Sequence, residues 1–122
     1  MLHKDLTDTI IKCYYNVYNK LGYGFLEKVY ENAMLIELRK HNLNAKSQQN
    51  IKVFYDTYVV GDYYADIIVE DKVILELKAS ERLCSANEAQ LINYLKGTNI
   101  EIGLLLNFGT EPEFKRKIYS NN

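Results

Sequence analysis

The chain has 122 residues, of which 48% are hydrophobic and 25% are charged, and its net charge is −1. This composition excludes a disordered chain, and the length predicts one domain over residues 1–122. No apolar run approaches the roughly 20 residues that span a bilayer, and residues 1–5 do not begin a secretory signal, so we expect a cytoplasmic protein without membrane contact.

Two helices are predicted in the first third of the chain. Between residues 6 and 21 the apolar residues recur at three- and four-residue spacing, which is a helical pattern. The Gly-Tyr-Gly sequence at 22–24 ends this helix, because glycine favours helix ends. A second helical pattern runs from about residue 25 to residue 41.

A meander of three antiparallel strands is predicted next. Its strands are β-branched and aromatic runs separated by polar turns. Gly61 and Asp62 interrupt the second run and indicate an irregularity such as a bulge. The predicted strands are 51–55, 58–69 and 73–78, with turns at 56–57 and 70–72.

The last third of the chain predicts one helix and one strand. The helix covers about residues 85–96, with a serine or asparagine cap at its start and Gly97 at its end. Residues 101–107 are almost wholly apolar, as in a buried strand. No element is predicted in the tail after Gly109. The order ααβββαβ indicates an α/β or α+β fold.

The cysteines and histidines carry little signal. Cys13 and Cys84 are too few for a disulfide framework and lack the spacing of zinc ligands, so both are interpreted as buried or half-buried thiols. His3 in the tail and His41 at a helix end are not expected to act in catalysis.

Three charged residues of the second hairpin are predicted to lie together. If the turn at 70–72 is symmetric, residues whose numbers sum to 142 face each other, which places Asp66 opposite Glu76. The period of two puts Lys78 on the face of Glu76, while the neighbouring leucines point to the other face. A register slip of one residue would break this pairing.

Paired carboxylates indicate a metal site. Asp66 and Glu76 would repel each other unless a positive charge lay between them. Mg²⁺ fits, because it prefers carboxylate oxygens, and it can polarise a phosphate and activate water. Lys78 would orient that water or stabilise charge on the phosphate. On the pattern alone, a solvated sheet face with Lys78 in a surface ion pair fits equally well.

Three motifs follow one another along the chain. Residues 24–30 read G-x-x-E-x-x-Y, nine residues separate Asp66 from Glu76-Leu77-Lys78, and residues 90–94 read Q-x-x-x-Y. The second motif resembles the D…ExK motif of the PD-(D/E)XK nuclease superfamily, and the third resembles the QxxxY element of its RecB-type exonuclease branch. Over about 85 residues the segments together resemble the GxxExxY family of that superfamily. The resemblance implies a restriction-endonuclease-like core with a central mixed sheet flanked by helices.

The resemblance also implies roles for single residues. Asp66 and Glu76 would bind metal and, with Lys78, support phosphodiester cleavage. Glu27 would join the metal ligands, with a surface glutamate as the plain alternative. The carbonyl of Leu77 is a further candidate ligand.

Four other positions bear on the resemblance. Gln90 and Tyr94 lie four apart on one helix face and would contact the substrate backbone or support the metal site, unless they only pack the helix. Tyr64 and Asn87 stand where relatives often carry a basic residue and a histidine, respectively. Either change would reduce phosphate contact or alter activity.

These observations leave two functions open. The first is a nuclease that uses Mg²⁺ or Mn²⁺ to hydrolyse nucleic acid, with DNA preferred over RNA. Its candidate phosphate contacts are Lys72, Lys96 and the basic run 115–117. The second is a catalytically silent module that binds nucleic acid or a protein partner, which the net charge near zero favours.

A homodimer is also expected. Tyr14, Tyr15 and Tyr18 give the first helix more apolar surface than one core face needs.

Overall fold

The computed structural model of the protein describes residues 2–120 and contains three helices and five strands there. Within these residues, no helix is both long enough and apolar enough to cross a membrane. The elements are α1 (Lys4–Leu21), α2 (Glu27–Lys40), β1 (Ala45–Tyr55), β2 (Tyr58–Val69), β3 (Val73–Lys78), α3 (Ser85–Lys96), β4 (Ile102–Phe108) and β5 (Pro112–Ile118).

The strands form one mixed sheet in the order β1-β2-β3-β4-β5. The first three strands are an antiparallel meander, as predicted. β3 and β4 run parallel, because α3 carries the chain back between them, and β4 and β5 are antiparallel. The structure therefore confirms the predicted central mixed sheet.

Two apolar cores lie on opposite faces of this sheet. Leu75 and Leu77 of β3 pack in the core that α1 and α2 cover. Ile74 of the same strand packs with Leu91 and Leu95 of α3 in the other core. The alternation along β3 thus places even-numbered residues of this strand on the face of α3. The helices flank the sheet on both sides.

The predicted order lacks one strand, β5. No element is predicted after Gly109, where residues 115–117 are basic, yet β5 pairs with β4 from Ile102–Ile118 to Phe108–Pro112. β5 is an edge strand, and basic residues are common there because they discourage pairing with other chains. The order is therefore ααβββαββ.

The first strand also begins earlier than predicted, at Ala45 instead of residue 51. Residues 46–50 are all polar, and three of them are exposed, so they lack the apolar signal of a strand. The predicted irregularity is confirmed: the register of β1 against β2 shifts between Val53, opposite Gly61, and Phe54, opposite Val59.

Two predictions about the start of α3 are wrong. Cys84 is exposed and not buried, because it is the N-cap residue of α3. The predicted serine or asparagine cap is replaced by a pair in which the backbone N–H and the thiol of Cys84 both donate to Asn87 Oδ1, over 3.1 and 3.3 Å. Cys13, by contrast, is buried as expected.

The tyrosines of α1 mostly belong to the core. Tyr14 is fully buried, and its hydroxyl contacts the backbone of Asn107 and Glu113 in β4 and β5. The Tyr18 hydroxyl donates to the carbonyl of Gly109 over 2.6 Å. Only Tyr15 is exposed, with 37% of its surface accessible. Two of the three tyrosines that suggested a dimer therefore attach α1 to the β4–β5 hairpin.

The close approach of α3 to β4 yields a test of this packing. A Cβ atom added at Gly103 would lie 2.6 Å from Leu91 Cδ1 and 2.8 Å from its Cγ, so we expect Gly103→Ala to cost about 1–3 kcal/mol of unfolding free energy. Leu91→Ala alone should cost about 2–5 kcal/mol. Because truncating Leu91 removes the collision, the double variant should cost at least about 1 kcal/mol less than the sum, measured by urea denaturation. Additive costs would contradict this packing.

Candidate metal centre

The ladder between β2 and β3 ends at the pair Ile67–Leu75, and side chains bond across the strands beyond it. The backbone N–H of Asp66 donates to Glu76 Oε2 over 2.8 Å. The backbone N–H of Leu77 donates to Asp66 Oδ2, also over 2.8 Å. Each carboxylate thus takes the place of a backbone carbonyl of the opposite strand. The two carboxylates are held together where the strands separate.

The turn between these strands explains the pairing. Glu70 and Asp71 have φ values of 54° and 52°, and the N–H of Lys72 donates to the carbonyl of Val69 over 2.9 Å. Consecutive positive φ values are typical of tight hairpin turns whose twist matches that of the strands. The turn sets the pair Val69–Val73, and the predicted opposition of the two carboxylates follows from that register.

Burial makes the pair electrostatically unfavourable. Glu76 is 4% exposed, and burial together with the charge of Asp66 raises the pKa of Glu76 to about 8. Burial also raises the pKa of Asp66, although the bond from the Leu77 amide opposes this shift. The charge of Lys78 acts to lower both pKa values but does not offset the increase. The carboxylates therefore favour an additional positive charge.

The end of β3, where Lys78 lies, is fixed by β4. Lys78 pairs with Asn107, whose buried amide donates from Nδ2 to the Ser80 carbonyl over 2.8 Å and accepts from the Ser80 amide over 3.0 Å. A side chain at Gly109 would collide with the same carbonyl, so a residue without Cβ is required there. These contacts hold the backbone just after Lys78 in one position.

Glu27 is the first residue of α2 and is exposed. Its charge raises the pKa of both site carboxylates, so it belongs to the same electrostatic cluster. Tyr30 fixes the start of this helix: its hydroxyl donates to the Gly22 carbonyl over 2.7 Å and accepts from the Phe25 amide over 3.2 Å. Its ring stacks on Phe108 with 4.1 Å between centroids.

Glu31 also belongs to the cluster, although none of the three sequence motifs includes it. It is buried, its charge raises the pKa of Asp66, and its Oε1 accepts from Gln48 Nε2 over 2.7 Å. Gln48 has a φ of 49° and lies where β1 would face Asp66. The four-residue spacing of Glu27 and Glu31 places both on one helix face, and this signal could have indicated Glu31.

The two predicted residues of α3 differ in their surroundings. Tyr94 is 6% exposed and lies 5.6 Å from Tyr63 between ring centroids. Burial, followed by the charges of Glu76 and Asp66, raises the pKa of Tyr94 to about 12, so this hydroxyl is close to the carboxylates. Gln90 is exposed, and within residues 2–120 its side chain forms no hydrogen bond. The structure brings Tyr94 to the carboxylate pair, while Gln90 lies on the exposed surface of α3.

The basic candidates lie apart from the cluster or are engaged elsewhere. Lys117 forms an ion pair with Glu88 at 2.5 Å, and Lys96 lies 5.6 Å from the ring centroid of Tyr119. Lys72 is exposed in the β2–β3 turn. Tyr64, one of the two departures from the family pattern, is 54% exposed.

The donor set fits a hard divalent cation. Asp66 and Glu76 each use one oxygen to accept a backbone N–H, and in the described part of the chain the other oxygen, Asp66 Oδ1 or Glu76 Oε1, accepts no hydrogen bond. These ligand atoms are all oxygens, and the charges of two further carboxylates, Glu27 and Glu31, also act on Asp66. Glu31 is itself paired with Lys28, at 2.6 Å. Mg²⁺ and Mn²⁺ prefer such ligands.

Comparison with known proteins agrees with this geometry. The family model of the PD-(D/E)XK nuclease superfamily matches residues 4–117. The crystal structure of SSO0001 has a similar fold, with a TM-score of 0.61 at 17% identity over 79% of this chain and 52% of that one. This chain thus spans about half the length of SSO0001, and at this identity the likeness concerns the fold alone.

A search of curated proteins gives no significant match. The superfamily match extends over almost the whole chain and includes the β2–β3 hairpin with its two carboxylates. The chain therefore belongs to the PD-(D/E)XK nuclease superfamily.

Proposed function

We propose that the protein is a metal-dependent nuclease that hydrolyses phosphodiester bonds. Membership of the superfamily suggests nuclease activity. The observation that carries the proposal is the pair of carboxylates Asp66 and Glu76, of which Asp66 is partly buried and Glu76 is buried. Among residues 2–120, Lys78 is the one positive charge that acts on both carboxylates. A surface ion pair, the plain alternative, does not account for a glutamate that is 4% exposed.

Asp66 and Glu76 would hold the cation through the oxygens that the backbone amides leave free. Glu27 would complete the site from the start of α2, and the carbonyl of Leu77 is a further ligand. Nucleases of this superfamily typically use divalent metals, and Mg²⁺ and Mn²⁺ are the candidates. When bound, such an ion supplies a Lewis acid that polarises the phosphate and increases the acidity of water.

Lys78 acts on the substrate in this proposal. Its ammonium group would donate to the attacking water or to a phosphate oxygen, where negative charge increases during cleavage. The Asn107–Ser80 bonds keep the Lys78 backbone fixed, so little reorganisation is needed. The Tyr94 hydroxyl would donate a hydrogen bond to the phosphate from the same side. The exposed Gln90 would contact the backbone of the nucleic-acid strand, farther from the carboxylates.

We further propose that the chain belongs to the GxxExxY branch, with the QxxxY element of RecB-type exonucleases, and that DNA is preferred over RNA. The second motif supplies the carboxylate pair, and the other two motifs also have a geometric correlate. Glu27 and Tyr30 define the start of α2, and Tyr94 adjoins the carboxylates. The Asn87 departure has a structural role at the start of α3, so it removes a candidate phosphate contact without disturbing the helix.

A silent binding module is the second candidate, and the net charge of −1 favours it over tight binding of nucleic acid. One group of exposed apolar residues that could bind a partner lies on the β1–β2 hairpin, where Tyr55, Tyr58 and Val60 are 71%, 72% and 65% exposed. The same surface could serve a homodimer, which we retain as a proposal. A monomeric mass in light scattering would exclude the dimer.

The first test concerns cleavage. Lys78→Ala should lower the rate of Mg²⁺- or Mn²⁺-dependent cleavage at least about 100-fold with the fold retained, because one group that stabilises the transition state is removed. Lys4→Ala, which loses only an exposed pair with Asp8, is the matched control. Single-stranded, double-stranded and structured DNA and RNA should be tried. If the wild type cleaves none of them with either metal, the nuclease proposal fails.

The second test uses stability without metal. Because the pKa of Glu76 is about 8 in the folded protein and 4.5 is its ordinary value, the folded state holds this proton more tightly than the unfolded state. This contribution to stability is complete below about pH 4.5 and is lost as the pH rises through about 8. Glu76→Gln keeps an acceptor for the Asp66 amide but cannot ionise. Its melting temperature should exceed that of the wild type by about 4 °C or more at pH 8 and match it near pH 4. An equal difference at both pH values would contradict the assignment.

Calorimetric titration with Mn²⁺ is the third test and separates the two functions. The wild type should bind Mn²⁺, and Asp66→Asn and Glu76→Gln should each weaken binding at least about tenfold, because each removes a charged ligand. Absence of binding to the wild type would favour the module over the enzyme.

A further inference from the structure

A second group of metal-ligating side chains lies away from the carboxylate pair. Cys13 of α1 and Glu37 of α2 meet His41, which follows α2, and one potential ligand atom of each lies within 4.8 Å of the other two. Cys13 Sγ is 3.5 Å from His41 Nδ1, and His41 Nδ1 is 4.0 Å from Glu37 Oε2. The same Nδ1 lies 3.0 Å from the backbone carbonyl of Glu37, and coordination of an ion through Nδ1 would replace that contact. Glu37 and His41 are one helical turn apart, so they face Cys13 together.

These separations suit a tetrahedral ion. With a zinc–sulfur bond of about 2.3 Å and a zinc–nitrogen bond of about 2.0–2.1 Å, tetrahedral ligands lie about 3.6 Å apart, which matches the Cys13–His41 distance. A zinc–oxygen bond of similar length requires about 3.4 Å between nitrogen and oxygen. Movement of Glu37 Oε2 by about 0.6 Å would bring it from 4.0 Å to this distance from His41 Nδ1.

The surroundings of Glu37 orient it as a ligand. Asn16 Nδ2 donates to Glu37 Oε2 over 3.3 Å, and Lys40 Nζ lies 3.9 Å from the other oxygen, Oε1. A hydrogen bond to a ligating carboxylate, such as the one from Asn16, is typical of the contacts that surround metal sites. The group also lies at the C-terminal end of α2, where the helix dipole favours a cation.

We infer that Cys13, Glu37 and His41 bind a borderline-soft divalent ion of the zinc class, with one coordination position left to water. Sulfur and imidazole ligands select zinc or cobalt over Mg²⁺, whereas the carboxylate pair offers only oxygen. The two sites lie about 15 Å apart along α2, from Glu27 to Glu37. The inference does not depend on the proposed nuclease function.

An ion can reach this site from solvent. The His41 side chain is 30% exposed, and a shallow cleft of about 190 Å³ between α1 and α2 includes Glu37 in its lining. Cys13 itself is fully buried, and burial together with the charge of Glu37 raises its pKa to about 11. Binding would therefore displace the thiol proton and leave a thiolate ligand.

No motif in the sequence indicates this site, because its ligands come from α1 and from the end of α2, and His41 lies 28 positions after Cys13. A bound ion would join α1 to the end of α2. Since both helices cover the same face of the sheet, the expected effect is greater stability of that layer.

Cobalt provides the test, because a thiolate bound to Co²⁺ gives a near-ultraviolet charge-transfer band that oxygen ligands do not give. The wild type should bind one equivalent of Co²⁺ with this band and lose it on addition of Zn²⁺. Cys13→Ser should abolish the band, and Cys84→Ser, which alters the other cysteine, should retain it. Glu76→Gln should retain it as well, which separates this site from the proposed nuclease centre.

Two further variants test the site independently of Cys13→Ser, which could fail to fold because Cys13 is buried. Glu37→Gln and His41→Gln keep the thiol and should each weaken Co²⁺ binding at least about tenfold, with an unchanged circular dichroism spectrum. Zn²⁺ should raise the melting temperature of the wild type but not of these variants. A band that is absent from the wild type, or that disappears with Cys84→Ser instead, would overturn the inference.

Discussion

The backbone amides of Asp66 and Leu77 donate to side-chain carboxylates instead of to carbonyls of the facing strand. A buried amide left without an acceptor costs about 1–3 kcal/mol, so a ladder can end inside a protein only where other acceptors are present. Asp66 and Glu76 supply these acceptors for each other's strands. β2 and β3 can therefore separate, and one oxygen of each carboxylate remains available to a ligand.

The surrounding elements keep this opening in place. The Asn107 amide fixes the chain after β3, the Tyr30 hydroxyl fixes the loop before α2, and the Glu31–Gln48 bond joins α2 to β1. The position of the centre thus depends on helix α2 and on strands β1, β3 and β4. The cost is an excess of buried negative charge, which reduces stability when no cation is bound. We interpret this excess as a requirement of function.

Periodicity and turn residues predicted most of the fold, including the meander and the register that pairs Asp66 with Glu76. Residues 46–50 of β1 and the basic strand β5 were missed, because edge strands need little apolar character. The QxxxY motif indicates Tyr94. The four-residue spacing from Glu27 places Glu31 on the right face of α2, but the burial of Glu31 depends on packing against β1, which leaves no local pattern in the sequence.

The central claim is that the Asp66–Glu76 pair binds a divalent cation. The most direct measurement is a crystal structure of the wild type with Mn²⁺, whose anomalous scattering locates the ion. The account predicts one ion coordinated by Asp66 Oδ1 and Glu76 Oε1, with the amide bonds to their other oxygens preserved and Glu27 nearby. Carboxylates bonded only to the backbone at saturating Mn²⁺, or an ion bound elsewhere, would contradict it.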